Sequence, residues 1–186
     1  MEHFYQTIEG WFDFEDVYRL MAQRAPELAH FVEVGAFLGK STSFLAVEIS
    51  NSKKDIRLDV IDTWAGSIEH QLGGLHERSV VTEGTLYDAF RRNMKPVAHL
   101  INAVRTTSLE GSKKYKDSSL DFVFLDASHE YEDIKADIHA WRPKVKRGGW
   151  LGGHDFQLHF PGVMRAVQEE FGEFSRMNFS WITQIK

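Results

Sequence analysis

The chain has 186 residues, 42% hydrophobic and 26% charged, enough for one soluble globular domain with its own core. A net charge of −5 argues against the broad basic face of a general nucleic-acid binder. With no cysteine there is no disulfide framework, thiolate metal site or cysteine nucleophile.

Residues 1–30 read as a helical cover. Phe4, Tyr5, Trp11 and Phe12 make its start aromatic, and Asp13 is placed to cap a helix carrying Phe14, Val17, Leu20 and Met21 on one face. Pro26 marks its end or the following loop. That face fits either the rim of a cleft or a plain core contact. The acidic start lacks the basic and apolar parts of a signal peptide, and no run reaches membrane-spanning length. The expectation is a cytoplasmic protein with neither membrane nor nucleic acid as partner, and a homo-oligomer is left open.

Phe31 to Val34 is a short apolar strand carrying Glu33 and ending at Gly35. Gly39 follows, and Lys40-Ser41-Thr42 opens a helix over Phe44 to Ile49. Glycines let backbone amides approach a ligand, and a helix N-terminus adds free N–H groups and a positive dipole end. Such a turn suits the carboxylate or phosphate end of a nucleotide-like cofactor; an ordinary β–α turn has the same pattern. Arg57 to Asp62 is a second strand ending in an acid, about 20 residues beyond the turn, where a carboxylate can accept hydrogen bonds from ribose hydroxyls. Asp at a strand end is also a common turn residue. Trp64 can stack on a purine or simply pack.

Residues 64–83 form a long connection with Gly66, Gly73, Gly74, His70 and His76, read as a substrate flap. A helix over Thr85 to Met94 stops before Pro96, and His99 to Val104 is a third strand, with Ala103 near its tip. Arg105 to Ser108 starts another helix. Leu120 to Asp126 is an apolar strand ending in an acid, and Ser128 or His129 can cap the helix that buries Tyr131, Ile134, Ile138 and Trp141. Lys146 to Gly149 reads as a basic turn, Trp150 to Gly153 as a fifth strand ending at His154-Asp155, and Pro161 starts a last helix. Phe174 to Ile185 makes a closing hairpin at the sheet edge. Alternation of strands and helices means a parallel sheet covered on both faces, here in a single domain over 1–186.

In an open α/β sheet, ligands bind beyond the carboxyl ends of the strands, at the switch point. That brings Gly35, Asp62, Ala103, Asp126, His129, His154 and Asp155 to one rim. Asp126, His154 and Asp155 offer mostly oxygen donors, which suit Mg²⁺, Mn²⁺ or another divalent ion. His129, on the first turn after Asp126, has the right chemistry to remove a proton near neutral pH.

The segments VEVGAFLGKST, VIDTW, SLDFVFLDASHEYEDIKADI and KRGGWLGGHDF, spread over residues 31–156, resemble class I S-adenosylmethionine-dependent methyltransferases. Within them the chain is similar to the macrocin-type sugar O-methyltransferase branch, with the metal layout of catechol-type enzymes. The resemblance implies a Rossmann-like, seven-stranded α/β sheet, mostly parallel with an antiparallel last strand. It implies that Glu33, Gly35, Ala36, Gly39 and Ser41 hold the methionine end and Asp62, with Thr63 and Trp64, the ribose side. Ala103, Ser108 and Asp126 complete the cofactor set. Asp126, His154 and Asp155 are the implied metal ligands, for Mg²⁺ first and Mn²⁺ or iron next, and His129 the implied general base. Two departures stand out: Phe37 replaces the middle glycine of the usual turn, and His154 stands where related enzymes carry a carboxylate. The expected activity is metal-assisted O-methyl transfer to a small hydroxylated acceptor such as a sugar, polyol or catechol. The alternatives are a metal-dependent hydroxylase-like enzyme on the same fold and an NAD-dependent oxidoreductase, although the latter's G-x-G-x-x-G fingerprint is missing.

Overall fold

The computed structural model describes residues 1–66 and 84–186, and in them strands and helices alternate as the apolar pattern requires. The strands are β1 (His30–Val34), β2 (Arg57–Asp62), β3 (Ile101–Arg105), β4 (Leu120–Leu125), β5 (Val145–Gly153), β6 (Ser175–Met177) and β7 (Ser180–Gln184). The helices among the described residues are α1 (Glu15–Arg24), α2 (Lys40–Ser52), α3 (Leu86–Asn93), α4 (Ser108–Ser112), α5 (Tyr131–Trp141) and α6 (Pro161–Glu170). The substrate flap expected over 64–83 lies outside the described residues except for Trp64, Ala65 and Gly66.

All seven strands share one sheet in the order β3-β2-β1-β4-β5-β7-β6. β1 to β5 pair in parallel, and β7 is antiparallel to both β5 and β6. The Rossmann-like sheet with an antiparallel last strand is thus present. The closing hairpin does not simply extend the edge: β7 inserts next to β5, and the short β6 takes the outside. The strand order reverses at β1, which opens a crevice between the carboxyl ends of β1 and β4.

Period-two alternation decides which face each side chain serves. Phe31, Phe122 and Phe124 pack with Tyr18 of α1 and Phe44 of α2. Val32, Val34 and Val123 belong to the opposite cluster, with Ile134 and Ile138 of α5 and Val163 and Val167 of α6. Each fully buried side chain of this size contributes about 1.5–3 kcal/mol, so β1, apolar on both faces apart from His30 at its start and Glu33, has to be central. Asp59 is the buried polar exception on β2. It accepts from His30, Arg57, Asn102 and Tyr115, tying β1, β2 and β3 together. Burial would raise its pKa, but these hydrogen bonds hold it well below the usual carboxylate range.

Several local expectations change. α1 starts at Glu15 after Phe14, with no side-chain cap; the Asp13 carboxylate goes elsewhere. α5 is preceded by Glu130, so neither Ser128 nor His129 is its cap residue; the Ser128 hydroxyl accepts from the Glu130 N–H and donates to Asp133. The basic segment Lys146 to Gly149 lies inside β5 rather than in a turn. There the register with β4 shifts and Gly148 takes φ +79°, so a bulge absorbs the extra residues. β3 starts at Ile101 and runs on to Arg105, which moves its tip beyond Ala103.

Candidate active site

The carboxyl ends of β1, β2, β4 and β5 border one cavity of about 790 Å³, a size suited to a nucleotide-like cofactor with a small acceptor. Of the residues expected from sequence, Gly35, Ala36, Ser41, Asp62, Thr63, Ser108, Asp126, His129, His154 and Asp155 line it, whereas Glu33, Gly39, Trp64 and Ala103 do not.

Gly35 carries φ +90°, and a Cβ there would sit 1.9 Å from the Asp126 carbonyl oxygen. The end of β1 therefore lies directly against the end of β4, and only glycine permits that approach. The turn that follows is organised by Asp62. One carboxylate oxygen, Oδ2, accepts from the Ala36 and Phe37 amides at 2.7 and 3.0 Å; the other, Oδ1, accepts from the Trp64 amide at 2.6 Å. Phe37, in the position where a glycine is commoner, adopts φ +48°. Its carbonyl accepts from the Trp64 indole at 3.1 Å, which helps to hold a conformation unusual for a bulky residue.

The four expected residues outside the lining have clear local duties. Trp64 is buried against Tyr87 and Phe90, so it packs rather than offering a face to a purine. Gly39, at φ +89°, turns its α-carbon toward Phe90 and Met94, where a Cβ would be 2.6 Å from the Met94 methyl. Ala103 pairs with Val60 inside the sheet, and Thr106 borders the cavity instead. Glu33 points under the floor, accepting from Tyr18 at 2.8 Å and from Thr42 and Ser41. Ser108 borders the cavity, but its hydroxyl is engaged, donating to Asp137 at 2.5 Å and accepting from the Trp141 indole at 2.9 Å.

Burial pushes the Glu33 carboxyl up from 4.5 to about 7, although hydrogen bonds from Thr42, Ser41 and Tyr18 pull the other way. A raised folded-state pKa means that the stability contribution is complete below pH 4.5 and is lost as pH rises through 7. The loss amounts to roughly 3 kcal/mol at about 1.4 kcal/mol per pH unit. Urea unfolding of Glu33→Gln across this range should show its stability relative to wild type rising by about that amount and then levelling off. A constant difference would contradict the buried, protonation-linked role.

Asp126, His154 and Asp155 form the acidic end of the cavity. Each offers one ligand atom, and these atoms lie within 4.8 Å of one another. Metal–ligand bonds of about 2.0–2.3 Å bring ligand atoms to roughly 3–4.5 Å apart, so small side-chain adjustments suffice, and two carboxylates with an imidazole are a sound donor set for a divalent ion. His154 Nδ1 is 3.3 Å from Asp155 and 3.6 Å from Asp126. Burial works to lower the His154 pKa, but hydrogen bonds and charge from Asp126 and Asp155 outweigh it and push the imidazole up to about 11. Burial would likewise raise Asp155, yet hydrogen bonds from His129 and His154 hold it well below the usual carboxylate range. The cluster draws in positive charge. Asp155 also has φ +59°, a strained position at the strand end.

His129 reaches the same cluster. Its Nε2 is 2.7 Å from Asp155 Oδ2, and its ring lies on Phe160 with centroids 4.2 Å apart. Sequence reasoning missed the wall opposite. Residues 9–13, the segment before α1 rather than the helix itself, close the cavity, and Lys40 donates to the Gly10 carbonyl at 3.0 Å. No motif marks that segment; its aromatic content was the one available signal.

A sheet in this order, with a glycine turn and strand-end acids around one cleft, is the architecture expected of a class I S-adenosylmethionine-dependent methyltransferase. The chain belongs to the methyltransferase-domain family, whose model matches residues 32–156, more than half of its length. Among solved structures it is similar to the O-methyltransferase NovP, with TM-score 0.63 and 17% identity, covering 92% of this chain and 79% of that one. It is similar to cofactor-bound Rv0187 from MTB, with TM-score 0.65, 15% identity and coverage of 92% and 78%. It is also similar to CalS11, a TDP-rhamnose 3'-O-methyltransferase, with TM-score 0.59, 15% identity and coverage of 91% and 76%. At these identities the likeness establishes the fold. A curated relative, the uncharacterized protein y4gI of Sinorhizobium fredii, is 23% identical over 160 residues. The match takes in 86% of this chain but only 16% of that protein's length. Family membership sets aside the NAD-dependent reading.

Proposed function

We propose that the chain catalyses O-methylation of a small acceptor with neighbouring hydroxyls, a sugar, polyol or catechol, at a divalent-metal centre made by Asp126, His154 and Asp155. One observation carries the reading: the Gly35 turn and Asp62 share a single cavity with that donor set and with His129. A divalent ion held by Asp126, His154 and Asp155 would supply positive charge that lowers the pKa of an acceptor hydroxyl. The methyl carbon bonds to the acceptor oxygen as its bond to sulfur breaks, the electron pair staying on sulfur. His129 takes the hydroxyl proton. The first turn of α2 offers backbone amides to the methionine carboxylate, the Ala36 and Phe37 amides being taken by Asp62 Oδ2, and Asp62 Oδ1 retains acceptor capacity for a ribose hydroxyl. The remaining task of the cavity walls is to hold both reactants in line.

Calorimetry with S-adenosylmethionine, NAD and Mn²⁺ tests the binding, and labelled-methyl transfer to catechol and to a sugar panel tests the reaction. The expected result is binding of S-adenosylmethionine but not NAD, with turnover abolished by EDTA and restored by Mg²⁺ or Mn²⁺. Turnover indifferent to EDTA and to Asp155→Asn would remove the metal from the reading.

A further inference from the structure

An imidazole that serves as a metal ligand has a requirement that a carboxylate lacks. Its two nitrogens are distinct, so one must carry the proton and be held in place while the other faces the ion. His154 meets this through the segment before α1. Its Nδ1 faces Asp126 and Asp155, while its Nε2 lies 2.6 Å from Asp13 Oδ1. The next residue, Phe14, lays its ring against the imidazole at 4.7 Å between centroids. Phe14 is itself buried, held edge-on by Phe12 and Tyr18 and tilted against Phe124. Two consecutive residues therefore clamp the ring, one from its edge and one from its face. Both lie outside residues 32–156, the part matched by the family model.

We propose that Asp13 is a positioning residue for the metal centre: it fixes His154 as the Nε2–H tautomer and leaves Nδ1 to the ion. The inference rests on the metal reading above. It also gives residues 9–13 a second duty besides walling the cavity. Lys40 holds this segment at Gly10, beside the glycine turn, and His154 holds it at Asp13, beside the acidic cluster.

The test is Mn²⁺ calorimetry on wild type, Asp13→Ala and Asp13→Asn, with thermal unfolding of each, and ¹⁵N spectra of the His154 ring in wild type with saturating Mg²⁺. Loss of such an outer partner weakens metal binding by about 10–100-fold. Asp13→Ala is expected to fall in that range with its unfolding midpoint close to wild type. Asp13→Asn, whose amide oxygen still accepts from Nε2–H, should keep most of the affinity. The spectra should show the proton on Nε2, and they decide the matter alone if Asp13→Ala does not fold. Binding by Asp13→Ala equal to wild type, or a proton on Nδ1, overturns the positioning role while leaving the metal centre standing. Wild type that binds no Mn²⁺ or Mg²⁺ overturns the metal reading itself, and this inference with it.

Discussion

Replacing His129 by alanine is expected to reduce methyl transfer by about 10²–10⁴-fold, the usual contribution of one positioned acid–base group. S-adenosylmethionine affinity should change little, because the glycine turn and Asp62 are on other strand ends. Contacts among the described residues position His129 for this role. Asp155 holds its Nε2 at 2.7 Å, and Phe160 supports its ring face. The tie to Asp155 creates a rival explanation, in which the variant acts by loosening a metal ligand. The two are separable. Loss of a base lowers kcat and removes the ascending limb of the pH–rate profile, with Mn²⁺ affinity intact. Loss of a positioned ligand lowers Mn²⁺ affinity and is relieved by high metal concentration. Unchanged kcat would eliminate both.

Gly35→Ala is expected to have the largest effect on the fold. The new methyl would meet the Asp126 carbonyl oxygen at 1.9 Å, and backbone cannot rotate away as a flexible side chain can. The φ of +90° is an added strain for any L-residue. Relief requires β1 and β4 to separate at the centre of the sheet, where both are buried. The cost should reach at least ~3 kcal/mol, a large fraction of a stability of about 5–15 kcal/mol. A chain of this size then loses roughly 6–12 °C in Tm, at about 2–4 °C per kcal/mol. Cofactor and metal binding should fail together, since Asp126 moves with its own carbonyl. Gly172→Ala is the control: a Cβ there meets nothing within 4 Å, and stability should stay within ~0.5 kcal/mol. Normal thermal stability of Gly35→Ala would refute the close approach of β1 to β4.

Much of the fold was legible because its signals are local. Strand β4 and helix α5 follow from the apolar run Phe122 to Leu125 and from Ile134, Ile138 and Trp141 repeating at helical spacing. The strand-end acids could be collected at one rim because a parallel sheet presents all its carboxyl ends on one side. Some of the positions left open or misread were those where a side chain had two plausible partners. Asp13 could cap a helix or bond an imidazole. Trp64 could stack on a ligand or fill the space beside Phe90. Glu33 could face the cleft or the floor, and it faces Tyr18.

Sequence by itself determined the order of strands and helices, the apolar faces of β1 and β4, and the chemical types gathered at the rim, since each depends on neighbours within a turn or two. Only the tertiary structure decided which of those groups meet. The 2.6 Å contact of Asp13 with His154 spans most of the chain, and the insertion of β7 beside β5 reorders the sheet edge. Such contacts depend on how whole elements pack, because burial is shared among many partners and no short stretch of residues specifies which of them a given side chain will reach.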